Sequence, residues 1–201
     1  MSRLSSAEFG SSQRARVPEV ESVSRTFRIP SSIARVMMEE ARRREVSANS
    51  LLNQLLARFV NFERFRPRLD VACLDLAVLK SLAKHTNRSV LAKEGERLGG
   101  GSIDFLKISG RPIDPESYCF FVQKILGDYA GWFTYEAQQT GNLMRLVLHH
   151  RYGKGWSTFL HSYLNSALRK MSVQGRVELT GDVLEVSFGL AGASSRSGSR
   201  R

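Results

Sequence analysis

The chain has 201 residues, with 30 Lys and Arg against 19 Asp and Glu, a formal net charge of +11, and 42% hydrophobic residues. This size allows one sizeable core beside a small head, so we expect two domains. The sequence has no apolar run of 18 residues and no secretory leader, so we expect a cytoplasmic protein without a membrane partner. Cys73 and Cys119 are too few and too far apart for a disulfide framework.

Both ends of the chain are polar. Residues 1–21 are expected to form a flexible arm, and residues 191–201, rich in Ser, Gly and Arg, a disordered basic tail. The first 68 residues contain 13 Arg, no Lys and 7 acidic residues, so the positive charge is concentrated in the shorter N-terminal part. Arginine suits bidentate contacts to guanine or phosphate, and this composition therefore favours a nucleic-acid partner.

A short β-strand is predicted from Ser22 to Pro30, because apolar and polar side chains alternate there. Its apolar face consists of Val23, Phe27 and Ile29. Its polar face consists of Ser22, Ser24, Thr26 and Arg28. Pro30 ends the strand and is well suited to the beginning of a helix, where its missing N–H is no loss.

Two amphipathic helices follow. The first is predicted from Ser31 to about Glu45, with apolar residues at four-residue spacing. Those residues are Ile33, Met37 and Ala41. The turn Val46–Asn49 ends it, and Ser47 is a plausible N-cap for the second helix. The broad apolar surface of that second helix consists of Leu51, Leu52, Leu55, Leu56, Phe59 and Val60.

A strand and two helices of this size bury too little surface to fold alone, and a second copy of the chain would solve that problem. If two chains pair their strands antiparallel, Phe27 and Ile29 face a shared core. The opposite face then presents Thr26 and Arg28 twice. A two-stranded ribbon of this kind fits the major groove of B-DNA.

The strand Thr26–Pro30, the two helices and the turn Val46–Asn49 before Leu51 resemble the ribbon-helix-helix family of DNA-binding proteins, the Arc/MetJ/CopG class. The resemblance covers about a fifth of the chain. It implies a ribbon-helix-helix DNA-binding domain over residues 22–66.

The resemblance also implies which residues contact DNA. Ser24, Thr26 and Arg28 match the strand positions that read base edges. Ser47 and Asn49 match the start of the second helix, where N–H groups and small polar side chains hold a DNA phosphate. Arg25 departs from the family pattern, which usually has an apolar residue there, and its charge is expected to reach a phosphate.

These observations predict a homodimer, or a higher oligomer, that binds double-stranded DNA and regulates transcription without a cofactor or catalysis of its own. An antitoxin-type autoregulator is one alternative. A sensory or protein-interaction module that uses the ribbon only to dimerise is another. A third is a plain helical hairpin preceded by an extended arm.

A domain boundary is predicted at Phe65–Arg68, since Pro67 disfavours helix in the residue before it. Residues 69–190 are expected to form an α+β domain with an antiparallel sheet covered by helices, acting as a sensor or in oligomerisation. Its predicted elements are helices over Leu76–Ala83 and Asn87–Leu98, a flexible turn at Gly99–Gly101, a helix from Asp114 to Tyr129, a hairpin of Trp132–Gln138 and Leu143–His149, a helix from about Gly155 to Met171, and a hairpin of Arg176–Leu179 and Val183–Phe188.

The segments Leu146–Leu160 and Val183–Phe188 look like a C-terminal domain found in uncharacterised archaeal proteins. That resemblance brings no known ligand. It supports the domain boundary rather than an activity.

Several residues of this domain are candidates for a metal site or a catalytic site. A composite metal or haem site could include Cys119, His149, His150 and His161, but no ligand spacing supports it, so hydrogen-bonded or exposed histidines are expected. Ser157 lacks the second glycine of a nucleophile elbow and is expected to cap a helix.

Aromatic residues are plentiful in the same domain, and core packing is their expected role. If some of them line a cavity, it could admit a small apolar or planar effector. They are Trp132, Phe133, Tyr135, Tyr152, Trp156, Phe159 and Tyr163.

Overall fold

The computed structural model describes residues 23–69 and 74–190. These residues fall into two compact units that divide between Ala48 and Asn49. The expected arm over 1–21 and the expected tail over 191–201 lie outside the described residues, as do Ser22 and Cys73. No helix among the residues described is both long and apolar enough to cross a membrane.

Within its described residues, the first unit contains helix α1 (Ser31–Arg43), as the sequence predicts. Its end is a Schellman turn, in which the Val46 N–H donates to the Ala41 carbonyl oxygen at 3.0 Å. Glu45 occupies the left-handed position of this turn with a φ of 55°, a conformation that glycine adopts more easily. This turn leads directly to the second predicted helix.

Residues 23–30 form no β-strand with any described residue of their own chain. A two-stranded ribbon needs a second chain to accept and donate the ladder hydrogen bonds. The predicted ribbon therefore stays a prediction.

The second unit is α+β, with a four-stranded antiparallel sheet, which confirms the predicted fold class at that level. From the turn onward, the helices are α2 (Ala48–Asn61), a 3-10 helix (Glu63–Arg68), α3 (Leu76–His85), α4 (Arg88–Leu98), α5 (Gly101–Ser109), α6 (Pro115–Phe120), a π-helix (Phe121–Tyr129) and α7 (Lys154–Lys170). The strands are β1 (Thr134–Thr140), β2 (Leu143–His149), β3 (Gly175–Thr180) and β4 (Val183–Gly189), in the sheet order β1-β2-β4-β3.

Both predicted hairpins are confirmed. Each is closed by a two-residue turn whose first residue is glycine with positive φ, 57° at Gly141 and 66° at Gly181. Such turns match the twist of the paired strands. The two central strands, β2 and β4, alternate buried and more exposed residues, so one face of the sheet enters the core. Their buried residues are Met144, Leu146, Leu148, Leu184, Val186 and Phe188.

Helix α7 is the central helix of this core, and α4 crosses it at very short range. A Cβ atom at Gly95 would lie 2.3 Å from the Phe159 carbonyl oxygen, and one at Gly99 would lie 2.6 Å from the Tyr163 carbonyl oxygen. The Ser166 hydroxyl donates to the Glu96 carbonyl oxygen at 2.6 Å across the same crossing. Only glycine permits this approach without a shift of the backbone.

The sequence did not predict α5. The run Gly99–Gly101 was interpreted as a flexible turn, and a turn is present at its first two residues, but Gly101 already begins the helix. Gly99 and Gly100 have ordinary right-handed φ values of −57° and −69°. Position 99 therefore needs a small residue because α7 packs against it. The positive φ values that glycine adopts more easily than other residues are not required there.

The helix predicted from Asp114 to Tyr129 is two continuous helical segments, α6 and the π-helix. The predicted start is confirmed, because the Asp114 carboxylate accepts a hydrogen bond from the Ser117 N–H at 2.7 Å. The π-helical turn type was not predicted.

The end of α2 and the 3-10 helix belong to the core of the second unit. Phe65 contacts Phe105 edge to face, with ring centroids 5.9 Å apart, and Phe62 lies 6.0 Å from Tyr129. Arg58 donates to the Tyr129 carbonyl oxygen at 3.0 Å. The segment before the predicted boundary at Phe65–Arg68 is thus held by the residues that follow it.

The α4–α7 crossing yields a stability prediction. We expect Gly95→Ala to lower the free energy of unfolding by about 1 to 3 kcal/mol, because the added methyl group meets the Phe159 carbonyl oxygen, a backbone atom. Urea denaturation followed by circular dichroism measures this change.

Gly101→Ala is the matched control, since a Cβ atom there has no neighbour within 4 Å and the residue is also helical. The control should keep or raise stability, as alanine is the better helix former. Equal stability of the two variants would contradict the assigned role of Gly95.

Candidate functional site

The four predicted DNA contacts in the strand segment are all accessible. Ser24, Arg25, Thr26 and Arg28 are exposed within residues 23–30. The structure leaves these four side chains accessible to a partner.

The apolar residues that alternate with them are exposed too. Phe27 has 68% of its surface accessible and Ile29 has 51%, and on α1 Ile33 and Val36 are 51% and 61% accessible. Apolar side chains this exposed and this close in sequence are unusual on the surface of a monomer, whereas they are expected at an interface. The first unit therefore presents apolar surface that no described residue of its chain covers.

The predicted phosphate contacts lie at the start of α2. Ser47 immediately precedes the helix, and Asn49 is exposed in its first turn. The first turn contains no acidic residue, so no carboxylate competes for its N–H groups. Further along α2, Leu51 is buried, Leu52 is half-buried, and the rest of the predicted apolar surface is accessible. The accessible residues are Leu55, Leu56, Phe59 and Val60.

The arginines at the end of α1 and those of the strand segment differ in whether they form ion pairs. Glu40 accepts hydrogen bonds from Arg43 and Arg44, and these bonds lower the pKa of its carboxyl to about 2. By contrast, Arg25 and Arg28 make no ion pair with any described residue. The charges of the strand segment are therefore available to an external anion.

The alternative metal or haem site is not assembled. Among residues 23–69 and 74–190, no three His, Cys, Asp or Glu side chains lie close enough to share one metal ion. His149 faces Glu136 with its Nε2 atom 3.6 Å from Oε1, and His161 lies 3.2 Å from the Asn165 amide nitrogen. The Cys119 thiol is half-buried, and burial raises its pKa.

His150 has a defined hydrogen-bonding environment. The Tyr152 N–H donates to Nδ1 at 3.3 Å, and Nε2 lies 3.0 Å from the buried Ser157 hydroxyl. Burial lowers the pKa of His150, while Asp182 opposes that shift. A neutral ring that accepts at Nδ1 carries its proton on Nε2, so His150 donates to Ser157.

The prediction that Ser157 caps a helix is wrong. Helix α7 begins at Lys154 with Gly153 in the N-cap position, where no side chain caps it. The Ser157 side chain instead pairs with His150, because residue 157 lies one turn inside the helix and faces the chain that leads into it.

The aromatic residues pack mainly against one another. Trp132 contacts Trp156 and Tyr163 edge to face, with ring centroids 5.3 Å apart in each case, and Trp156 stacks on Phe159 at 4.8 Å. The expected role in core packing is therefore met by these rings. Tyr152 also touches the cluster, and its hydroxyl donates to the Gly131 carbonyl oxygen at 2.7 Å.

A second candidate site lies where α3 approaches the start of α7. We call it the basic pocket; its volume is about 380 Å³. Its cationic residues are Lys80, Lys84, Arg88, Arg151 and Lys154. The sequence did not predict this site, because its residues are spread over 75 positions and only the fold brings them together. The pair Lys80 and Lys84, one helical turn apart, is the one local signal that pointed to it.

Comparison with known proteins adds little. Neither the protein-family models nor the curated proteins gave a match to this sequence. Among solved structures, the chain is similar to trafficking protein particle complex subunit 3 from Naegleria fowleri, solved covalently bound to palmitic acid, with 12% identity and a TM-score of 0.35 over 70% of this chain and 96% of that chain. A likeness at that TM-score carries no argument about fold or function.

The environment of His150 predicts a pH dependence of stability. The folded protein favours the neutral ring, whereas the unfolded chain takes up a proton near the ordinary pKa of 6.5. The stability linked to this residue is therefore fully present above about pH 6.5 and is lost as the pH falls below it.

Thermal unfolding of the wild type and of His150→Gln between pH 7.5 and 5.5 measures this effect. We expect the melting temperature of the variant to fall less steeply, since its other histidines are unchanged. Parallel curves for the two proteins would refute the assignment.

Proposed function

We propose that this protein is a homodimeric, sequence-specific DNA-binding regulator of transcription, with a ribbon-helix-helix domain at residues 22–66. One observation carries the proposal. Phe27 and Ile29 are largely exposed in a segment without a strand partner among the described residues of its own chain, and the polar residues Thr26 and Arg28 alternate with them.

Dimerisation would remove the cost of that exposure. Each large apolar side chain moved from water into a shared core contributes roughly 1.5–3 kcal/mol. Pairing residues 23–30 of two chains would also satisfy backbone N–H and C=O groups that have no ladder partner in residues 23–69 or 74–190. Both gains follow from one antiparallel ribbon.

The outer face of that ribbon would read the bases. In an antiparallel pair, Ser24, Thr26 and Arg28 of each chain point away from the apolar core. The Arg28 guanidinium can donate two hydrogen bonds to guanine O6 and N7, and the Thr26 hydroxyl and methyl group can contact neighbouring bases. Ser24 would assist nearer the end of the ribbon.

Phosphate contacts would orient the dimer on the duplex. Ser47 and Asn49, with the N–H groups that begin α2, would hold one phosphate in each half-site. Arg25 supplies a further charge that has no ion-pair partner in the part of the chain that the structure describes. The affinity should fall as salt rises, because each phosphate neutralised releases counterions.

The α+β unit would serve as the sensor or oligomerisation domain, and a small-molecule effector would act through it. The contacts of Phe62 and Phe65 with its core support this role, because they tie the end of α2 to the unit that would respond. No catalytic step is proposed.

The first prediction concerns the oligomeric state. Full-length protein should be a dimer by light scattering coupled to size-exclusion chromatography, and Phe27→Asp should be largely monomeric, because it places a charge in the ribbon core. Val90→Asp is the matched control, since Val90 is 47% exposed on α4 and should leave the dimer intact. A wild type that is monomeric at micromolar concentration would overturn the proposal.

The second prediction concerns sequence preference. Selection from random duplex DNA should enrich one operator, and Arg28→Ala should lose about 1 to 3 kcal/mol of preference for it with each lost base contact. Arg176→Ala on β3 removes the same charge from an exposed site and should keep the preference.

Two results would contradict this assignment. If Arg28→Ala binds the selected operator as tightly as the wild type, Arg28 does not read it. If no sequence is enriched from random DNA, the ribbon serves only to dimerise the chain.

A further inference from the structure

We propose that the basic pocket binds a small phosphorylated molecule carrying two or more negative charges. Five cationic side chains line it, and they come from α3, from the start of α4 and from the chain that enters α7. No acidic residue is part of its wall. This excess of positive charge around one cavity is the main observation that supports the proposal.

The five cations are not balanced by other groups. None of them forms an ion pair with any residue in 23–69 or 74–190. Lys80 and Lys84 lie one turn apart on α3, where like charges repel. A bound anion would relieve this repulsion and that of the facing cations.

The pocket walls are held in place by packing. A Cβ atom at Gly155 would lie 2.2 Å from the Ala83 carbonyl oxygen, so α3 touches the first turn of α7 directly. This close approach places Lys80 and Lys84 beside Lys154. The Tyr152 hydroxyl, bonded to the Gly131 carbonyl oxygen, fixes the loop that carries Arg151. The charged groups are therefore gathered before a ligand arrives.

The chemistry of the lining favours phosphate. Arg88 and Arg151 offer planar guanidinium groups that match the oxygens of a phosphate, and the three lysines add mobile charges. The first turn of α7 has neither a side-chain cap nor an acidic residue, so its N–H groups also favour an anion here. Five positive charges call for a multiply charged ligand.

The dimensions favour a small molecule. A volume of about 380 Å³ lies within the range of ligand pockets, and a DNA duplex could touch only the rim of such a cavity. Ala83, Thr86 and Tyr152 provide a less polar part of the wall that suits the carbon skeleton of a phosphate ester. The site lies within the α+β unit, so it does not depend on whether the N-terminal segment binds DNA.

The phosphate titrations use the full-length protein without DNA. Inorganic pyrophosphate is titrated into it by calorimetry at fixed ionic strength, and glycerol 3-phosphate is titrated as a soluble ester. We expect saturable binding of one pyrophosphate per chain and weaker binding of the ester. The double variant Lys84→Gln/Lys154→Gln should bind pyrophosphate at least tenfold more weakly.

The double variant Lys93→Gln/Lys107→Gln is the matched control. It removes the same charge from exposed positions on α4 and α5 that are not part of the pocket wall. It should bind pyrophosphate within twofold of the wild type. Thermal unfolding gives a second readout: pyrophosphate should raise the melting temperature of the wild type and the control but not that of the pocket variant.

Four results would overturn the proposal. One is the lack of saturable pyrophosphate binding, and another is an equal loss of affinity in both double variants, which would indicate diffuse charge attraction. A third is binding to phosphatidylcholine vesicles containing phosphatidylinositol phosphate without binding to either soluble phosphate. The last is a pocket variant that loses duplex DNA while it keeps pyrophosphate, because the lysines would then contact DNA.

Discussion

The fold of the second unit depends on direct backbone contact between helices, which glycine permits because it has no side chain. Gly95 and Gly99 let α4 lie against the backbone of α7, and Gly155 lets α3 do the same at its first turn. Close contact of this kind increases dispersion attraction and leaves little tolerance for a larger residue. The covered face of the sheet packs into the same core as α7. The basic pocket depends on the same contact. The lysines of α3 lie close to Lys154 because the backbone of α3 packs against the first turn of α7.

The first unit follows the opposite principle. Several of its large apolar residues are exposed, and its arginines at positions 25 and 28 have no ion-pair partner among the described residues. Exposed apolar groups and unpaired charges of this kind are the features that the proposed second chain and the proposed DNA would cover. The second unit, by contrast, has a large core formed by residues of one chain.

Local signals explain which elements could be predicted. The hairpins follow from turn glycines such as Gly141, and the start of α6 follows from Asp114 as N-cap, because each signal acts within a few residues. Helix α5 was missed because Gly99 serves a contact with α7, some 65 residues away in sequence. The basic pocket was missed for the same reason. The ribbon is a harder case still, since its hydrogen-bond partners would belong to another chain.

The anchoring of α2 has a mechanical consequence. A helix of 14 residues is a stiff rod about 21 Å long, and its far end is clamped by the Phe65–Phe105 contact and by the bond from Arg58 to the Tyr129 carbonyl. Asn49, near the other end of the rod, is therefore joined to these buried rings by one continuous helix. If Asn49 holds a phosphate as proposed, binding there and the packing of Phe65 would be coupled through this helix with the same free energy in both directions.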